Sequence, residues 1–84
     1  MKIEKLDDWY LIERELISQI RTIGYNPDLA KIKKNLDLLI TELSKQEVEA
    51  RRMRKPMLLV PIIDKINESI LIIEKYVLLL QLSR

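Results

Sequence analysis

The stretch Asn26-Pro27-Asp28-Leu29-Ala30-Lys31-Ile32, running on to Met53 without a glycine or a second proline, decides the fold. The side-chain oxygen of Asn26 can accept from the free backbone N–H groups of a helix start. Pro27 is pre-organised for the first helical position, and Asp28 puts negative charge at the positive end of the helix. Beyond this start, Leu29, Ile32, Leu36, Leu39, Leu43, Ala50 and Met53 follow alternating steps of three and four, with Gln46 in the one remaining slot. The spacing predicts a helix from Pro27 to about Arg54. Its heptad-like seam suits antiparallel packing against neighbouring helices.

On the N-terminal side, Trp9, Ile12, Leu16, Ile20 and Ile23 line one helical face. They predict a first helix from about Asp7 to Ile23, with Asp7 and Asp8 supplying capping oxygens and favourable charge. Gly24 is its natural stop, because glycine tolerates positive φ. On the C-terminal side, Pro56 and Pro61 bracket Met57 to Val60. A proline inside a helix removes a hydrogen bond and clashes with the preceding turn, so the second helix ends before Pro56. A third helix then runs to about Leu82, and the pattern leaves both Pro56 and Pro61 open as its start.

This third helix is apolar over much of its circumference. Ile63, Ile66, Ile70, Ile73, Val77 and Leu80 form one stripe, and Ile62, Leu71, Ile72, Leu78, Leu79 and Leu82 widen it. Such a helix belongs among several neighbours. Three helices in one chain cover it only if the first two wrap it closely. Otherwise its C-terminal half meets a second copy of the chain or an apolar partner, and the latter is the expectation.

The 84 residues suffice for one domain, 1–84. The fold class expected is all-α: an antiparallel bundle of three long helices. It becomes a four-helix bundle if helix 3 breaks near Glu74 and Lys75, or one completed by dimerisation. The chain has no histidine and no cysteine, which removes the usual general base, the thiol nucleophile and most zinc sites. Gly24 is the only glycine, so no phosphate-cradling loop exists. Acidic pairs such as Glu13 and Glu15 diverge on a helix surface. A binding protein is therefore expected rather than an enzyme, with no catalytic residues, no metal and no cofactor.

The first eight residues contain no apolar leader segment, and Ile70 to Leu82 is too short, and too interrupted by Glu74 and Lys75, to span a bilayer. A cytoplasmic location is expected, including a peripheral position at the inner face of the cell membrane. The one concentrated charge feature is Arg51, Arg52, Arg54 and Lys55. Tyr25 to Lys55 holds eight basic and five acidic residues. The cluster suits an anionic lipid surface, at about 1 kcal/mol per basic residue, or simply favourable charge at a helix C-terminus. Nucleic acid is not expected, because no helix-turn-helix signature or aromatic stacking platform accompanies the cluster.

Three stretches resemble the immunity proteins of class IIa, or pediocin-like, bacteriocins, particularly the enterocin A immunity type. Ile12 to Ile20, I-E-R-E-L-I-S-Q-I, is similar to that family's first-helix I-x-x-E-L-x-x-x-I pattern. Asn26-Pro27 is similar to its Asx-Pro cap of helix 2, followed by apolar residues at Ile32, Leu36 and Leu43 and a Lys-Gln pair at Lys45-Gln46. Pro61 to Ile70, P-I-I-D-K-I-N-E-S-I, resembles a proline-led apolar helix of the family and favours Pro61 as the start of helix 3.

The resemblance implies a cytoplasmic antiparallel bundle in a Gram-positive bacterium. Such a protein protects its cell from a pore-forming peptide by binding the mannose phosphotransferase permease, the bacteriocin receptor, from inside. The family's C-terminal half sets which peptide is recognised. On this reading Tyr76, Val77, Leu80 and Arg84 are the candidates for partner contact, and a homodimer through helix 3 is a further expectation. Arg51, Arg52, Arg54 and Lys55 would lie toward anionic membrane. The sequence departs from the family where a fourth helix would follow helix 3, since it ends at Arg84. The competing reading is a small regulatory adaptor of phage or plasmid type that binds a partner protein. A basic dimer on nucleic acid comes after both.

Overall fold

A computed structural model describes residues 1–83 of the chain. The helix start at Asn26 forms as its residues dictate. The Asn26 Oδ1 atom accepts from the backbone N–H groups of Asp28 at 3.0 Å and Leu29 at 3.1 Å, and Pro27 occupies the first position of α2, Pro27–Met53. Before it lies α1, Leu6–Ile23. After it come a 3₁₀ turn, Pro56–Leu59, and α3, Val60–Leu82.

The helices alternate in direction, and α2 and α3 make the principal hairpin. Leu29, Leu36, Leu43 and Ala50, seven residues apart, are all buried along α2. Leu29, Leu36 and Leu43 share one core with Ile62, Ile66, Ile70, Ile73 and Val77 of α3, and Trp9, Ile12 and Leu16 of α1 close it. Lys33 of α2 reaches over the Trp9 ring, 5.8 Å from its centroid. Met53, expected in the seam of α2, is instead about half exposed. The reason is length. At 1.5 Å per residue α2 is roughly 40 Å long and α1 roughly 27 Å, so α1 leaves the turn end of the hairpin uncovered. The molecule is accordingly elongated, 49 × 19 × 16 Å.

Both prolines begin a helical segment. Pro56 opens the 3₁₀ turn, and Pro61 is the second residue of α3, where no intrahelical N–H bond is lost. Arg54 ends α2 in the left-handed conformation, φ 55°, and the Lys55 N–H donates to the Ala50 carbonyl at 2.9 Å. A glycine usually takes this position, and arginine there costs about 1 kcal/mol. Gly24 ends α1 with φ 94° and ψ −172°, a region for which only glycine is suited.

The alternative of a break near Glu74, which would have made a four-helix bundle, is not met. From Val60 to Leu82 α3 is continuous. Glu and Lys are good helix formers, and no glycine or proline follows Pro61. Glu74 lies at the edge of the buried face and accepts from the N-terminal ammonium of Met1 at 3.1 Å.

That ion pair belongs to a strap the sequence does not announce. Residues 1–5 fold back along α3 and bury Ile3 completely. The Asn67 side chain clamps the strap at both backbone groups of Ile3. Its Oδ1 accepts from the Ile3 N–H at 2.7 Å, and its Nδ2 donates to the Ile3 carbonyl at 2.9 Å. Alanine at Asn67 leaves both groups unpaired in a partly buried place, a loss of roughly 1–3 kcal/mol. Asn67→Ala is therefore expected to free the strap and speed tryptic cleavage after Lys5. An unchanged cleavage rate would show that Ile3 packing alone holds it.

Helix α1 begins at Leu6, one residue earlier than expected, with Lys5 as its capping position. Asp8 still supplies the capping oxygen, from inside the first turn: its Oδ2 accepts from the N–H groups of Glu4 at 3.0 Å and Lys5 at 3.2 Å. These two bonds hold its carboxyl below the usual carboxylate range. A depressed folded-state value gives stabilisation that is present above the ordinary carboxylate pKa and is lost as pH falls below it. The Glu4 and Lys5 amide proton signals are expected to move upfield as the pH falls well below the ordinary carboxylate pKa, and not to do so in Asp8→Asn.

Candidate partner-binding surfaces

The partner candidates Tyr76, Val77 and Leu80 on α3 do not share one surface. Val77 is 3% exposed and packs in the core. Leu80 is half-buried against the same core. Both belong to the stripe Ile63, Ile66, Ile70, Ile73, Val77 and Leu80, which turns toward the other helices. Tyr76 is half-buried, and its hydroxyl donates to Asp28 Oδ2 at 3.1 Å, tying α3 to the first turn of α2. Burial, and then the Asp28 carboxylate, push the phenol above its ordinary value. This link is stable below the ordinary phenol pKa and weakens as pH rises past it. Arg84 lies outside the described residues.

The outward surface of α3 is carried by different residues. Leu71, Ile72, Leu78, Leu79 and Leu82 are each about half exposed or more, reaching 64% at Leu79 and 75% at Leu82. Their steps of one, six, one and three place them on one side of the helix, interrupted only by Lys75. A cleft of about 340 Å³ between α1 and α3, lined by Gln19, Glu74, Lys75, Val77, Leu78 and Gln81, borders this row. The wide apolar circumference of helix 3 signalled such a face. It did not show which residues the other helices would cover.

The basic cluster sits at the turn end of the hairpin. Arg51 pairs with Glu47 at 2.9 Å and Arg52 pairs with Glu49, both along the exposed helix surface. Neither Arg54 nor Lys55 has an ion pair among the described residues. Exposed pairs of this kind contribute under about 1 kcal/mol and leave the arginines available to a stronger anion. Beside them stand Met57, Leu58 and Val60, which the sequence reading did not single out. Met57 is 74% exposed, Val60 53% and Leu58 43%.

Among the described residues no cluster of acidic side chains could hold a metal ion, and no helix is long and apolar enough to cross a membrane. Comparison with protein-family models, curated proteins and solved structures finds no match.

Proposed function

We propose that this chain is a non-catalytic binding protein that docks through the outward face of α3, and that its role is immunity against a pediocin-like bacteriocin. The exposed row Leu71, Ile72, Leu78, Leu79 and Leu82 carries the proposal. Taking the exposed half of five such side chains out of water is worth roughly 5 kcal/mol on this chain's side alone. A face of that size on a small protein is a partner site. The mannose phosphotransferase permease offers a partner of matching character, an apolar protein held in a membrane, and the three stretches that resemble the class IIa immunity proteins support that choice. Bound at the cytoplasmic side of the permease with its bacteriocin, the protein would block the pore without chemical change to either.

A regulatory adaptor is the second reading, since the outward row of α3 would serve a soluble partner as well as a membrane-held one. Capture from bacteriocin-treated cells distinguishes the two. Permease subunits retained by the wild-type chain and lost with Leu78→Arg support immunity. A soluble regulator retained in the same way, with no permease, supports the adaptor.

A further inference from the structure

We infer that the turn end of the α2–α3 hairpin is an interfacial anchor for anionic lipid bilayers, with Met57, Leu58 and Val60 as the inserted crest and Arg51, Arg52, Arg54 and Lys55 as its charged collar. This deepens the membrane reading of the basic cluster and does not depend on which protein α3 binds.

Three observations converge on it. From Ala50 to Ile63 there is no acidic residue; Glu47 and Glu49, just before this stretch, pair with Arg51 and Arg52, and Arg54 and Lys55 are left without an ion pair among the described residues. The apolar residues at the same end are exposed, because α1 is shorter than α2 and stops short of them. The 3₁₀ turn Pro56–Leu59 holds them in place, with Pro56 fixing its first residue and the Leu58 N–H donating to the Lys55 carbonyl at 3.1 Å. An apolar crest ringed by arginine and lysine is complementary to a bilayer surface. Phosphate groups meet the collar while the crest enters the upper acyl region.

The charge complementarity selects lipid over an apolar protein groove. An apolar groove would leave Arg54 and Lys55 without counter-charges. An anionic leaflet supplies them, and the side-chain pairs on Arg51 and Arg52 are exposed enough to exchange.

Co-sedimentation of the full chain with large vesicles tests the anchor. Binding to phosphatidylglycerol–phosphatidylcholine vesicles is expected to exceed binding to pure phosphatidylcholine at least tenfold, and to weaken between 0.1 M and 1 M salt as the Debye length shrinks. Arg54→Glu with Lys55→Glu, which breaks no ion pair, is expected to reduce binding tenfold or more. Met57→Ser with Leu58→Ser keeps every charge and is expected to reduce it severalfold. Helical circular dichroism establishes that both variants fold. Equal binding to both vesicle types, or no binding to either, would overturn the anchor. Unaltered binding by the folded serine variant would overturn insertion of the crest.

Discussion

Leu36→Ala is expected to lower the stability of the chain by about 2–5 kcal/mol. Leu36 is completely buried at the middle of α2, opposite the equally buried Ile66 and Ile70. The lost methyl groups cost their transfer free energy, and the cavity left behind adds to it, because the hairpin is held at both ends. The Asn26 cap and the Tyr76–Asp28 hydrogen bond fix one end, and the turn at Pro56 fixes the other. Small domains are stable by only about 5–15 kcal/mol in total, so the variant is expected to melt well below the wild-type chain. Urea titration followed by circular dichroism measures this. A change under about 1 kcal/mol would mean that α2 and α3 do not pack as described.

Leu78→Arg combined with Leu79→Arg is expected to have the opposite profile. Both side chains are more than half exposed, at 55% and 64%, and arginine is as good a helix former as leucine. Stability is expected to stay within about 0.5 kcal/mol of wild type. Partner binding is expected to fall more than a hundredfold, because two charges would have to be desolvated in the centre of an apolar contact. Surface binding to the captured partner and thermal melting, measured on one preparation, separate the effects. A folded double variant that binds normally would remove the outward α3 row from function.

These two variants mark how far the sequence was legible. Asn26-Pro27-Asp28 could be read as a helix start because capping depends on residues within one turn. The Leu29, Leu36, Leu43 and Ala50 seam was legible because periodicity survives tertiary context. The split between Val77 and Leu78 was not. Where a helix is apolar on most sides, spacing defines its stripes but not which stripe the neighbours cover. Coverage follows from the lengths and angles of α1 and α2.

The hairpin end was hidden for the same reason. Two prolines mark a turn, yet Met57 and Leu58 are exposed only because α1 is shorter than α2. Ile3 carried no signal at all. It is a single apolar residue in a charged segment, and its clamp, Asn67, is 64 positions away.

The most direct test of the proposed role is survival of a bacteriocin-sensitive strain expressing this chain, challenged with a panel of pediocin-like peptides. The account predicts selective survival against one peptide or a few related ones, abolished by Leu78→Arg with Leu79→Arg and retained by exposed substitutions elsewhere. Killing by every peptide, despite good expression of folded protein, would contradict immunity and leave the adaptor reading in its place.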